Sequence, residues 1–165
     1  DKPGIAVTRP YDKSAAHCGN GNMVALVLDA KDKVDALYAF AHSLYERERY
    51  EDARKVFTYL MALDHHEPRY MGAVAACFQM LKRYDEAIEH YCLASVQDLS
   101  DPRPTFHTAE CLLAQGRTGE ARDALSMVLN DCRETRHAAL KQRAQALLDL
   151  LDKRAATTAP EGIPT

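Results

Sequence analysis

The chain repeats itself every 34 residues. Tyr50-Glu51-Asp52-Ala53 returns as Tyr84-Asp85-Glu86-Ala87 and again as Thr118-Gly119-Glu120-Ala121. In the same register Ala41, Ala75 and Ala109 align, as do Leu44, Phe78 and Leu112, and Phe57, Tyr91 and Leu125; Pro68 aligns with Pro102. A repeat of this period denotes a supersecondary unit that cannot bury its apolar face alone and needs its neighbours to do so. An array of stacked units is therefore expected, with any function carried on a face that the stacking creates.

Between the punctuation points the apolar residues fall at helical spacing: Leu37, Phe40, Leu44, then Ala53, Val56, Phe57, Leu60. Each unit thus reads as two helices of about 13 residues joined by a short turn. Ala41, Ala75 and Ala109 stand where paired helices cross, with Ala53, Ala87 and Ala121 opposite, because a methyl group there lets two axes approach closely. Pro68 and Pro102 suit a first helical turn, where no backbone N–H is needed. This is the tetratricopeptide pattern, spanning about 34–131. Glu48 and Lys82 stand where the third unit has Gly116, so local backbone strain is expected at both. Beyond the repeats, Leu140, Ala144, Leu147, Leu148 and Leu151 share one face of a helix over about 134–154, as a cap on the open end of a solenoid would. The fold class expected is all-α: three tandem tetratricopeptide repeats forming an α-solenoid, with an N-terminal helix and a C-terminal capping helix. Residues 1–17 and 155–165 read as flexible tails, 18–33 as an N-terminal helical segment, and 34–154 as the repeat domain with its cap.

Composition narrows the function. The 165 residues suit one domain with a sizeable core. With 21 Lys+Arg against 24 Asp+Glu, the net charge of −3 leaves no basic excess for nucleic acid or an anionic membrane. The longest apolar run, Met23-Val24-Ala25-Leu26-Val27-Leu28, is far short of a membrane span, and no stretch reads as a signal peptide. Five widely spaced cysteines without a CxxC fit a soluble protein of a reducing compartment. No catalytic constellation, glycine-rich phosphate loop or Gly-x-Ser-x-Gly occurs. His107 and Cys111 lie four apart on a helix but lack further ligands, so neither a metal nor a cofactor is expected. Cys77 and Cys111 share a repeat column and read as small packing residues. A binding protein is the reading, not an enzyme.

In such an array the first helix of each unit lines the concave side. The groove-facing residues are Asp35, Tyr38, Ala39, His42, Tyr45 and Glu46, then Arg69, Gly72, Ala73, Ala76, Gln79 and Met80, then Arg103, Phe106, His107, Glu110, Leu113 and Ala114. Tyr38 and His42 replace the Lys and Asn of tetratricopeptide domains that clamp carboxylate tails. The floor is aromatic at its ends and small at Gly72, Ala73 and Ala76. Pockets of that kind suit an extended peptide with spaced aliphatic or proline side chains, its backbone bonded by the tyrosine hydroxyls. Three buried anchors would contribute about 5–9 kcal/mol before ordering costs, a contact near micromolar. Two alternatives stand beside this reading: Tyr38 and Tyr45 pack against the chain's own N-terminal segment, and Gly72 serves close helix packing instead of a pocket.

Tyr50-Glu51-Asp52-Ala53-Arg54-Lys55-Val56-Phe57, Leu63-Asp64-His65 and above all Asp101-Pro102-Arg103-Pro104-Thr105-Phe106-His107-Thr108-Ala109-Glu110-Cys111-Leu112 resemble the translocator (class II) chaperones of bacterial type III secretion systems. The resemblance implies a cytoplasmic, non-catalytic chaperone that keeps hydrophobic translocator proteins soluble and export-competent by holding an extended, proline-bearing segment in its groove. The contacts it implies are Tyr38, Tyr45, His42, Gly72, Ala76, Phe106 and Glu110, which joins them to the geometric candidates Arg69, Ala73 and Met80. It also implies a homodimer through the segment before the first unit, with Met23, Val24, Leu26, Val27 and Leu28 at the interface; a cap on the first hairpin is the alternative use of that run. An adaptor joining folded partners is the competing function.

Overall fold

The computed structural model describes residues 21–132 and 135–158, with side chains over 31–132 and 136–154. Among these residues there are seven α-helices and no strand: α1 Gly21–Glu46, α2 Tyr50–Leu63, α3 Pro68–Met80, α4 Tyr84–Gln97, α5 Arg103–Ala114, α6 Thr118–Asp131 and α7 Ala138–Thr158, with a 3-10 turn Thr135–His137 before α7. The helices gather into two compact units, one ending at Arg83 and one starting at Tyr84.

In the first unit α2 packs against both α1 and α3. The crossing alanines Ala41, Ala53 and Ala75 are fully buried, with Phe57 and Leu60 beside them in the core. Helix α1 is twice the expected length. The boundary expected at 33/34 is not a break, since Ala30-Lys31-Asp32-Lys33-Val34 contains neither Gly nor Pro to stop a helix. Phe40 is a correction: placed in the apolar stripe by its spacing, it is 53% exposed, because the buried arc of α1 runs through Tyr38, Ala41, Leu44 and Tyr45 instead.

The turns explain the repeat register. The N–H of Arg49 bonds the Leu44 carbonyl (2.9 Å) while that of Glu48 bonds Tyr45 (3.0 Å). Arg83 to Phe78 and Lys82 to Gln79 repeat this at 2.9 and 3.0 Å, as do Arg117 to Leu112 and Gly116 to Leu113 at 2.9 and 3.0 Å. These are three Schellman closures, whose pivot residue must be left-handed. The pivots have φ of 62° at Glu48, 60° at Lys82 and 76° at Gly116. The strain expected at the two non-glycine turns is therefore present, at about 1 kcal/mol each. Arginines follow all three pivots. Arg49 pairs with Asp52 (2.7 Å) and Arg117 with Glu120 (2.5 Å), whereas Arg83 lies 4.7 Å over the Phe78 ring.

The second unit stacks α4 on α5, α5 on α6 and α6 on α7. Its core joins Phe106, Ala109, Leu112, Ala121, Leu125 and Val128 to Ala144, Leu148 and Leu151 of α7, with Leu140 and Leu147 packed against it. The capping face read from the sequence is the face that is buried. The helix itself begins later than expected, at Ala138, because the preceding residues Thr135–His137 wind as a 3-10 turn. An Arg122–Asp152 ion pair ties α6 to α7.

Candidate functional site

In the first unit the groove candidates collect around Tyr38. Its ring meets Phe57 edge-on at 5.5 Å and Tyr70 at 5.8 Å. The Arg69 guanidinium covers both tyrosines, at 5.6 and 5.9 Å from the ring centroids. Arg69 is aimed by local sequence. Pro68 opens α3, and the preceding Glu67 accepts the Arg69 backbone N–H (3.3 Å) and its guanidinium (2.8 Å). That guanidinium bond holds the Glu67 carboxyl below the usual carboxylate range. Asp101-Pro102-Arg103 repeats the device at α5, with Asp101 accepting the Arg103 N–H at 3.0 Å and its guanidinium at 2.8 Å.

The stripe Arg69, Gly72, Ala73, Ala76, Met80 runs along one side of α3 by helical spacing. Ala73 and Ala76 are inside the packing, whereas Met80 and Gly72 are half-buried. A Cβ built on Gly72 would meet nothing within 4 Å among the described residues, so none of the described helices presses on this glycine. Close packing of the described helices therefore does not account for it, and among the described residues the space before it is open. His42 is partly exposed, with Nε2 3.8 Å from Glu46.

Tyr45 requires a correction. At 1% exposure it is a wall of the unit, its ring 5.3 Å from Tyr50, and burial drives its phenol well above the ordinary range. The hydroxyl expected to face a ligand backbone is inside the protein. Helical spacing puts Tyr38 and Tyr45 on one face, but the second helix of the hairpin covers that face at its turn end.

In the second unit His107, Glu110 and Phe106 form a different arrangement. His107 Nδ1 donates to Glu110 Oε2 at 2.8 Å, and its ring stacks on Tyr91 at 5.4 Å. The other Glu110 oxygen takes Arg143 Nη2 from α7 at 3.2 Å. The Arg143 guanidinium lies 4.9 Å from the Phe106 centroid, and the Phe106 ring is fully buried. Sequence reading placed Arg143 on an outer face of the capping helix. Its neighbours lie 33 and 37 residues away, beyond any local spacing signal.

Cys111 lies one helical turn beyond His107 on α5. It is buried, and burial pushes its thiol up to about 12; Cys77 behaves alike. Among the described residues, no group of three metal-ligating side chains converges and no helix is long and apolar enough to cross a membrane. The interface candidates Met23, Val24, Leu26, Val27 and Leu28 fall in the first turns of α1, where the side chains lie outside the described residues.

Comparison with known proteins agrees with this architecture. The tetratricopeptide repeat family model matches residues 34–66 and 71–97. The low calcium response locus protein H of Yersinia pestis is 39% identical over 107 residues, covering 65% of this chain; the chain spans 64% of that relative's length. The chaperone protein SicA of Salmonella typhimurium is 31% identical over 121 residues, 73% of this chain and 72% of SicA. Among solved structures, the Yersinia enterocolitica type III secretion chaperone SycD in complex with a peptide of the translocator YopD superposes with a TM-score of 0.71 at 34% identity, covering 75% of this chain and 95% of that one. With the repeat register, the alanine crossings and the capped end all in place, the chain belongs to the tetratricopeptide family of type III secretion translocator chaperones.

Proposed function

We propose that this chain is a cytoplasmic, non-catalytic chaperone for hydrophobic translocator proteins, holding an extended client segment along the first-helix side of its repeats. The observation that carries this reading is the space before Gly72, open among the described residues, beside an arginine-covered tyrosine cluster, in a chain related to one that holds a translocator peptide. A mid-helix glycine costs about 1 kcal/mol relative to alanine. An aliphatic or proline side chain of a client fits the space it leaves. Tyr38, His42, Arg69 and Met80 border that space in our reading, Ala73 and Ala76 support it from beneath, and Phe106 and Glu110 act through the arrangement on the second unit. The Met23–Leu28 run joins two copies into a homodimer.

The test is co-expression with the hydrophobic translocator of the same secretion system. Gly72→Leu should lower the soluble translocator recovered while the chaperone keeps its helical spectrum and melting temperature. Full recovery of translocator with a well-folded Gly72→Leu chaperone would refute the assignment. An adaptor for folded partners would instead be indifferent to this substitution and to a short proline-bearing competitor peptide.

A further inference from the structure

The second unit assigns a client-reading role to a residue of the capping helix. Phe106 was expected to touch the client directly, yet it is fully buried, with the Arg143 guanidinium 4.9 Å from its centroid. Arg143 is itself 52% exposed, so it stands at the surface where the ring does not. Its position is fixed from two sides. The Arg143 guanidinium carbon stands over the Phe106 ring, a cation–π contact that arginine makes more often than lysine. One N–H, from Nη2, is spent on Glu110 Oε1 at 3.2 Å. Glu110 is in turn held on its other oxygen by His107 at 2.8 Å, and His107 is stacked on Tyr91. A guanidinium has five N–H donors, and among the described residues one of them is engaged, with Glu110. Glu110 offsets part of the Arg143 charge, so what the fork offers a carboxylate is chiefly directed N–H groups and only a modest net attraction.

We infer that Arg143 is a specificity-determining residue of this chaperone, reading an acidic side chain of the extended client. The inference rests on the proposed chaperone function and adds a client chemistry to it: beside aliphatic or proline anchors, a carboxylate at one fixed position. Charge-assisted bonds to a planar fork reward a carboxylate over its neutral amide. Because the site is half exposed, the preference is about three- to fivefold.

The experiment uses the full chain and synthetic fluorescein-labelled peptides of a translocator's chaperone-binding segment. A single Glu is walked along the peptide, each version paired with its Gln counterpart, and affinities are read by fluorescence anisotropy. The expected result is one position at which Glu binds three- to fivefold tighter than Gln, a preference that shrinks as salt is raised. In Arg143→Gln the Glu and Gln peptides should bind equally, while anchor-dependent binding remains. Arg143→Lys should keep only part of the preference. Equal binding of Glu and Gln at every position in the native chain would overturn the inference even if Arg143→Gln proved unstable. So would a preference that persists in Arg143→Gln. If no peptide bound at all, the chaperone reading itself would fall, an outcome distinct from binding without discrimination.

Discussion

Replacing Gly72 by alanine separates what this glycine does for the fold from what it does for a client. In the helix interior a Gly-to-Ala change is worth about 0.8–1 kcal/mol, because glycine loses more backbone freedom on folding. That gain is realised only where the added methyl has room. Here the built Cβ meets nothing within 4 Å among the described residues, so no clash with them offsets it. A stabilisation near 1 kcal/mol corresponds to a rise of about 3 °C in melting temperature for a chain of this size. Client binding should move the other way. A methyl occupies part of the space an anchor would fill, for a loss of about fivefold, and leucine would exclude the anchor and forfeit about 1.5–3 kcal/mol. Thermal unfolding followed by circular dichroism gives the first number and peptide titration the second. A more stable Gly72→Ala protein with weaker binding is the predicted pair. Destabilisation would show that the space is closed, and unchanged affinity for both the alanine and leucine variants would show that no client uses it.

Three further outcomes follow from the fold. Lys82→Gly should stabilise the chain by about 0.5–1 kcal/mol by relieving a left-handed lysine, whereas Gly116→Ala should cost about 1 kcal/mol; denaturant midpoints compare them. The Glu67 carboxyl lies below its ordinary value of 4.5 because Arg69 bonds its charged form, so its contribution is present above that pH and is lost as pH falls through the lower folded value. Glu67→Gln should therefore flatten the stability decline on acidification, read from melting temperatures between neutral pH and about 3; an unchanged slope would count against that pairing. Native-state thiol labelling, mapped by mass spectrometry, should modify exposed Cys92 rapidly, and Cys77 and Cys111 only on unfolding, since both are buried with thiols pushed up to about 12.

Much of this molecule is legible from its sequence because a repeat supplies internal controls. The columns Leu44, Phe78 and Leu112 are apolar because each side chain is buried at the end of its helix, and Glu48, Lys82 and Gly116 align because each must turn left-handed there. The capping face of α7 was visible as a single apolar stripe. What helical spacing could not decide is which of two neighbouring elements a given face meets. Tyr45 and Phe40 illustrate this. Both are aromatic residues on α1, yet α2 buries the first and leaves the second in solvent. The length of α1 was missed because a solenoid unit predicts its own helix and carries no signal for continuation across its start. Arg143 was missed for a further reason: its partners Phe106 and Glu110 lie on α5, and nothing in a helical wheel of α7 distinguishes this arginine from Lys141 on the outer faces.

Hydrogen–deuterium exchange of the full chain, with and without a translocator's chaperone-binding segment, addresses the central claim most directly. A client lying along the first-helix side should slow exchange in 34–46 and 68–80, centred on Tyr38 and Gly72, and leave the outer helix α2 at its free rate. Protection confined to α2, or no change at a saturating peptide concentration, would contradict it.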